Sequence, residues 1–154
     1  MPKVTFDSIA ALRRKIGQEV VVGDWMAVTQ TQINLFAEAT GDHQWIHLDE
    51  KRAAAESPYG TTIAHGFLTL SLLPRLMGDA LQLPKAKMSV NYGLNRVRFA
   101  APVPAGKRVR ARITLLGIEE VTGGVQMSWK VQIEVEGSAK PACIAETLAR
   151  HYTA

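Results

Sequence analysis

The segment from Gly41 to Asp49 holds the ionisable side chains that are best placed to do chemistry together. Asp42 and His47 lie within it, just past the end of a predicted helix, and can converge on one small molecule. A carboxylate beside an imidazole shifts the pKa values of both groups apart, which suits general acid–base catalysis. On spacing alone, the alternative is that Asp42 caps a turn and His47 is a hydrogen-bonded surface histidine.

The same region also contains side chains of the types that bind metal ions. They are Asp42, His43, His47, Asp49 and His65. The sequence contains no HExxH pattern, and no i, i+4 pair of histidines is evident on a predicted helix, since His43 and His47 lie in a predicted loop. We therefore expect no metal site and no cofactor.

A second candidate feature is the pair His65 and Gly66, at the predicted start of an apolar helix. The first N–H groups of a helix have no partner within it and carry partial positive charge, so they stabilise a developing anion. Glycine at this position lets a ligand approach the backbone closely. The alternative is a glycine that serves only helix packing.

The elements that position these residues begin with a strand and a helix. The strand is predicted from Glu19 to Val28, with a break at Gly23. The helix after it starts with a capping box formed by Thr29 and Gln32 and ends at Gly41.

Further along, the sequence predicts a loop over residues 41–48 and a short helix with Asp49 as its N-cap. The next helix is predicted from Ala64 to Met77, with a kink at Pro74 and a stop at Gly78. Apolar residues cover nearly its whole circumference, so we expect it to be the most buried helix.

The rest of the chain alternates between apolar and polar residues, which is typical of half-buried strands. The alternating stretches are Met88 to Tyr92, Asn95 to Phe99, Val109 to Leu115 and Val125 to Val135, and Ala142 to Tyr152 is predicted as a last strand. Thr122-Gly123-Gly124 indicates a hairpin turn. One strand, then helices, then antiparallel strands predict an α+β fold, with an antiparallel sheet wrapped around a long apolar helix.

Composition excludes several other classes of protein. The chain has 154 residues, 47% hydrophobic and 21% charged, so we expect residues 1–154 to form one globular domain. A net charge of +4, without a basic tail or zinc spacing, argues against nucleic-acid binding.

Two further features bear on location in the cell. The N-terminus is polar, which argues against a signal peptide, and the uncharged stretch from Ser57 to Pro74 is interpreted as a buried helix with a polar lead-in rather than a membrane span. The single cysteine, Cys143, favours the reducing cytoplasm.

Two stretches together resemble the hydratase motif of the MaoC-like family. They are Gly41-Asp42-x-x-x-Ile46-His47-x-Asp49, followed by Ala53, and Tyr59-Gly60-x-x-Ile63-Ala64-His65-Gly66, followed by Ser71. The stretch from Asn91 to Phe99 with Pro102-Val103 resembles the NodN-like branch of that family. The resemblance covers roughly residues 18 to 150 and implies the hot dog fold. It also implies the activity of an (R)-specific enoyl-CoA hydratase, which adds water reversibly to a trans-2-enoyl-CoA.

The resemblance assigns roles to individual residues. Asp42 and His47 match the pair that holds and activates a water molecule, and Gly66 matches the glycine whose N–H receives the thioester oxygen. The surrounding substrate-binding positions are Gln44, Trp45, Ile63, Ala64, His65 and Ser71. Gln44-Trp45 stands where many members have Asn-Pro, so the pocket wall beside the catalytic pair is expected to differ.

The family resemblance also implies partners: an acyl-CoA thioester as substrate, and a homodimer, with higher assembly left open. Two alternatives share the fold, namely a hot dog acyl-CoA thioesterase and a non-catalytic acyl-CoA-binding module. Basic side chains that could meet CoA phosphates, or simply face solvent along a strand, are Arg96, Arg98, Lys107, Arg108 and Arg110.

Overall fold

A curved antiparallel sheet packs around two consecutive helices in the computed structural model of the protein, which describes residues 1–153. In chain order the elements are β1 (Val4–Thr5), α1 (Ile9–Arg13), β2 (Glu19–Val22), β3 (Met26–Ala27), α2 (Gln30–Thr40), α3 (Trp45–Leu48), α4 (Glu50–Glu56), α5 (Gly66–Ser71), α6 (Leu73–Ala80), β4 (Leu81–Gln82), β5 (Met88–Arg98), β6 (Arg108–Val121), β7 (Gly124–Val135) and β8 (Cys143–Tyr152).

The strand order of the sheet is β2-β6-β7-β8-β5, and β3 also pairs with β6. All these pairings are antiparallel, whereas the short strands β1 and β4 pair in parallel beside the sheet. β5 follows the helices in sequence yet pairs with the last strand, so it lies at one edge of the sheet. The predicted α+β hot dog architecture is confirmed, with the helices on the concave face.

The core lies between that face and the helices α5 and α6. Every second residue of β7 from Val125 to Val135 is buried, and these side chains belong to the same cluster as Leu68, Leu73 and Leu76 of the helices. Cys143, at the start of β8, is fully buried there, and burial raises the pKa of its thiol to about 11. The thiol is therefore protonated and unreactive at neutral pH.

The predicted helix signals are confirmed at both ends of α2. Thr29 accepts from the backbone N–H of Gln32, and the Gln32 side chain accepts from the backbone N–H of Thr29. Gly41 ends the helix with φ of +79°, a left-handed conformation that other residues rarely adopt. Asp49 caps α4 by accepting from the Arg52 N–H, as expected.

Three local predictions were wrong. Residues 45–48 form the short helix α3 instead of a loop. The long helix is interrupted after Ser71, because Pro74 has no N–H for the carbonyl of Leu70 and is instead accommodated in the first turn of α6. Gly78 lies inside α6 and does not end it.

This helical segment, which was expected to be the most buried, also has an exposed side. Phe67 on α5 is 69% exposed, and Ser71 is exposed as well. The buried residues lie on the side that faces the sheet. Among the described residues, no helix has both the length and the apolar character needed to cross a membrane.

Candidate active site

Asp42, His47 and His65 lie close together in the structure. Asp42 follows the end of α2, His47 belongs to α3, and His65 directly precedes α5. One side-chain oxygen or nitrogen from each lies within 4.8 Å of the others. His47 and His65 are only 6% and 2% exposed, whereas Asp42 is exposed. The predicted convergence of Asp42 and His47 on one point is therefore present, and His65 joins them.

His47 is held so that one ring nitrogen remains free. Its Nδ1 lies 2.7 Å from the carbonyl oxygen of Ile63, which can only accept, so Nδ1 carries the hydrogen and Nε2 is an acceptor. Burial lowers the pKa of His47, and the neighbouring His65 ring lowers it further. His47 is therefore a neutral base near pH 7.

The backbone of His47 is braced from α2. The Gln30 side-chain amide donates to the His47 carbonyl over 2.8 Å, and the Thr62 hydroxyl donates to the Gln30 amide oxygen over 2.6 Å. Sequence reasoning missed Gln30 and Thr62 because neither belongs to a recognisable motif. Their hydrogen bonds fix the position of α3 relative to α2 and the 62–65 segment.

Asp42 follows directly after the left-handed Gly41 at the end of α2. One of its carboxylate oxygens accepts from the Gln44 N–H over 3.3 Å. Its other carboxylate oxygen has no hydrogen-bond partner among residues 1–153 and is available to a ligand.

His65 contacts both members of the predicted catalytic pair. Its Nε2 donates to the backbone carbonyl of Asp42 over 3.0 Å, and its ring stacks on His47 with centroids 3.9 Å apart. The ring of Phe36, in α2, also packs against His65, with the two ring centroids 4.9 Å apart. The remaining nitrogen, Nδ1, is buried without a hydrogen-bond partner in the described part of the chain.

Gly66 is the first residue of α5, and its N–H finds no acceptor within residues 1–153. A Cβ at this position would lie 3.1 Å from the ring of Phe99, so only glycine fits without displacing that ring. A cavity of about 240 Å³ adjoins Gly66 and Phe99. Because α5 has only six residues, any oxyanion role depends chiefly on the N–H itself and less on the helix dipole.

Gln44 and Trp45, two of the predicted substrate-binding positions, lie at the start of α3. Gln44 is the N-cap of α3 and lies beside Asp42. The Trp45 ring is half-buried, with the Arg52 guanidinium 4.2 Å from its centroid. Trp45, the aromatic member of this pair, lies where the resemblance gives the proline of Asn-Pro.

Ile63 and Ala64 contribute through their backbone. The Ile63 carbonyl orients His47, and the Ala64 N–H donates to the carbonyl of Val103 over 2.8 Å. The Ser71 hydroxyl donates to the carbonyl of Phe67 within α5 and also faces the large cavity described below. No side-chain pattern could have identified the Ile63 carbonyl as a partner of His47.

The metal-ligand candidates separate into two groups. His43 is exposed and pairs with Glu38 at 3.1 Å, and Asp49 is occupied as a helix cap. The three that remain together are separated by up to 4.8 Å. Partners hydrogen-bonded to one tetrahedral water lie about 4.6 Å apart, whereas the ligand atoms of one zinc ion lie about 3.4 Å apart. A bound of 4.8 Å accommodates the partners of one water molecule.

A larger cavity of about 700 Å³ lies between the helices α5 and α6 and the strands β5, β7 and β8. Its wall is largely apolar. The apolar lining includes Leu73, Pro74, Met77, Leu94, Trp129 and Leu148. Because Leu70 and Ser71 of α5 also line it, the cavity begins about one helical turn beyond Gly66.

The predicted basic residues on β6 are engaged elsewhere. Arg108 pairs with Glu136, and Arg110 pairs with Glu134 at 3.1 Å, while both guanidinium groups lie near the ring of Trp25. They form a compensated charge network on the sheet, which is the solvent-facing alternative given above.

Comparison of the sequence with known proteins identifies the family of the chain. The model of the MaoC-like domain matches residues 11–136. The chain is 55% identical to 3-hydroxyacyl-thioester dehydratase Z of Mycobacterium tuberculosis, over 96% of this chain and 97% of that protein. It is 45% identical to Nodulation protein N of Rhizobium leguminosarum, over 90% of this chain and 87% of that protein.

Solved structures agree on the fold. The R-hydratase PhaJ1 of Pseudomonas aeruginosa superposes with a TM-score of 0.68 at 23% identity, covering 90% of this chain and 83% of that one. The sequence match and the shared architecture lead to the same conclusion: the chain belongs to the MaoC-like dehydratase family, whose members are hydro-lyases.

Proposed function

We propose that the protein is an (R)-specific enoyl-CoA hydratase, which adds water reversibly to a trans-2-enoyl-CoA to give the (R)-3-hydroxyacyl-CoA. The observation that carries this proposal is the neutral His47 with a free Nε2 beside the carboxylate of Asp42. Relatives named as 3-hydroxyacyl-thioester dehydratase and as (R)-specific enoyl-CoA hydratase support the reaction class.

The first step is activation of a water molecule. Nε2 of His47 accepts one hydrogen of the water and the carboxylate of Asp42 accepts the other, which directs an oxygen lone pair at the β-carbon of the substrate. As the C–O bond forms, the water proton passes to the pair. We assign this proton to the pair and not to one of its two members.

The second step places charge on the thioester oxygen. Addition at the β-carbon moves the electrons of the double bond toward the carbonyl and gives an enolate. The enolate oxygen accepts a hydrogen bond from the free N–H of Gly66. The pair then delivers a proton to the α-carbon, and the C=O bond re-forms. The reverse sequence removes water from the 3-hydroxyacyl thioester.

The large cavity is the proposed acyl-binding site. It lies one helical turn beyond Gly66, it has an apolar wall, and its volume of about 700 Å³ is more than a four-carbon acyl group needs. We therefore expect catalytic efficiency to rise with chain length beyond crotonyl-CoA.

The proposed assembly is a homodimer formed through β5. This edge strand has 11 residues and exposes apolar side chains at Met88, Val90, Tyr92 and Leu94. A long apolar edge strand is an association site unless something covers it. Twofold pairing of the β5 strands of two protomers would cover the free β5 edge of each.

The proposed location is the cytoplasm. The single cysteine cannot form a disulfide within the chain, and burial keeps it protonated. A cysteine that forms no disulfide is typical of proteins in reducing compartments.

Incubation of the purified protein with crotonyl-CoA tests the activity. Loss of the conjugated-thioester absorbance without release of free thiol, followed by chiral chromatography that identifies the (R)-3-hydroxy product, is the expected result. Thiol release would instead identify a thioesterase. The absence of both changes with crotonyl-CoA and with longer enoyl-CoA substrates would favour a binding module.

A further inference from the structure

We infer that His65 is a positioning residue that holds Asp42 and His47 in their catalytic arrangement. The inference rests on the proposed function, since it assigns a role within the same site. It replaces the expectation that His65 binds substrate directly.

The first argument is that one ring contacts both catalytic residues. The carbonyl of Asp42 can only accept, so Nε2 of His65 must carry the hydrogen of the 3.0 Å bond. The other contact is the stack on His47, with centroids 3.9 Å apart and planes inclined by 25°. His65 thus connects the Asp42 loop, the His47 helix and the start of α5.

The second argument is that Asp42 has few other constraints. Residues 41–44 belong to neither helix nor strand, and the Asp42 side chain accepts one backbone hydrogen bond, over 3.3 Å. The carboxylate is exposed, so packing does not immobilise it. The bond from His65 is therefore the contact that ties this loop to the buried part of the site.

The third argument comes from the unpaired Nδ1 of His65. A buried acceptor without a partner destabilises the folded protein, and an apolar side chain of similar size would avoid that cost. His65 is 2% exposed, and its Nδ1 has no partner in the described chain. A histidine kept there at this cost is needed for what its other nitrogen does, since filling space alone requires no nitrogen.

Three substitutions separate the contributions of the ring. In His65→Gln, the amide nitrogen reaches the position of Nε2 and can still donate to the Asp42 carbonyl. In His65→Asn, the shorter amide reaches only the position of Nδ1. His65→Phe keeps the ring stack but has no nitrogen. His43→Gln is the matched control, because His43 is exposed and its side chain pairs with Glu38 at the surface.

The measurements are kcat and KM for crotonyl-CoA and the Kd of butyryl-CoA, a saturated analogue that cannot be hydrated. Misplacement of a catalytic group by about 1 Å costs about 10²-fold in rate. We therefore expect kcat to fall by about 10²-fold in His65→Asn and His65→Phe and by at most about tenfold in His65→Gln. The Kd of butyryl-CoA should change less than about threefold, because ligand binding does not use His65.

Equal or greater activity in His65→Asn than in His65→Gln would overturn the inference, because it would assign the role to Nδ1. Should the variants fail to fold, the histidine ¹⁵N spectrum of the unaltered protein decides the question. We expect Nε2 of His65 to carry a hydrogen, and a ring with its only hydrogen on Nδ1 would refute the bond to Asp42. Failure of the proposed function is distinguishable, because the unaltered protein would then hydrate neither crotonyl-CoA nor longer enoyl-CoA substrates.

Discussion

Replacement of Gly66 by proline tests the oxyanion role, because it deletes one hydrogen-bond donor at a position where the backbone tolerates proline. Gly66 is the first residue of α5, and its N–H has no partner among residues 1–153, so no bond of the fold is lost. His65 has φ of −59° and ψ of 138°, the extended conformation that a residue before proline adopts.

The new side chain would contact Phe99, and this effect must be separated from loss of the N–H. An ideal Cβ at position 66 lies 3.1–3.3 Å from three atoms of the Phe99 ring. Gly66→Ala adds the same Cβ but keeps the N–H, so it is the matched control. Phe99 is 44% exposed and can move aside. A Phe99→Ala background, in which both substitutions are repeated, removes the contact altogether.

The expected loss follows from the value of a single oxyanion donor. Such a donor contributes about 2.7–4 kcal/mol to the transition state, or about 10²–10³ in kcat. We therefore expect Gly66→Pro to turn over crotonyl-CoA about 10²–10³ times more slowly than Gly66→Ala, while its Kd for butyryl-CoA stays within about threefold. Stopped-flow absorbance and calorimetry give these two quantities. A folded proline variant whose kcat matches that of the alanine variant would refute the reasoning.

Four further predictions follow from the same site and fold. Asp42→Asn and His47→Gln should each lower kcat by about 10²–10⁴, with a double mutant little worse than either single one; a single variant that keeps a tenth of the activity contradicts the assignment. Because burial lowers the pKa of His47 from its ordinary value of 6.5, its base form should persist as the pH falls to 6.5, and the acid limb of the kcat/KM profile should lie below that pH; an acid limb centred above 6.5 contradicts this. Val90→Lys places a charge on the free edge of β5 and should convert a dimer to a monomer in light scattering, whereas a persistent dimer would exclude this edge. Met77→Trp should reduce kcat/KM for a long enoyl-CoA at least about tenfold more than for crotonyl-CoA if the large cavity binds the acyl chain, and an equal loss for both would exclude it.

Features set by local interactions were predictable from the sequence. The capping box of Thr29 and Gln32 and the left-handed Gly41 depend on residues within one turn of one another, and both are present as predicted. Alternation in β7 follows from the two faces of a strand, so the buried residues of that strand could be named in advance. These local signals fixed where the loop with Asp42 begins.

Features that depend on distant parts of the chain were not predictable. The bonds to His47 come from the Ile63 carbonyl and from Gln30, and a backbone carbonyl leaves no mark on residue type. The helix α3 has no side-chain cap, so its four residues show no start signal. Phe99 approaches Gly66 because β5 ends beside α5, and this proximity exists only once the sheet has formed.

The interruption between α5 and α6 has a consequence for how this enzyme family can diversify. Because Pro74 cannot continue the hydrogen bonding of α5, the two helices are separate short rods joined at Leu72. One rod begins with Gly66, and the other carries Leu73 and Met77 into the large cavity. If the large cavity binds the acyl chain as proposed, selection can change chain-length preference through substitutions on α6, while the part of the wall that Leu70 and Ser71 form belongs to the helix that begins at Gly66. Substitutions on α6 can therefore alter substrate specificity without altering the N–H of Gly66.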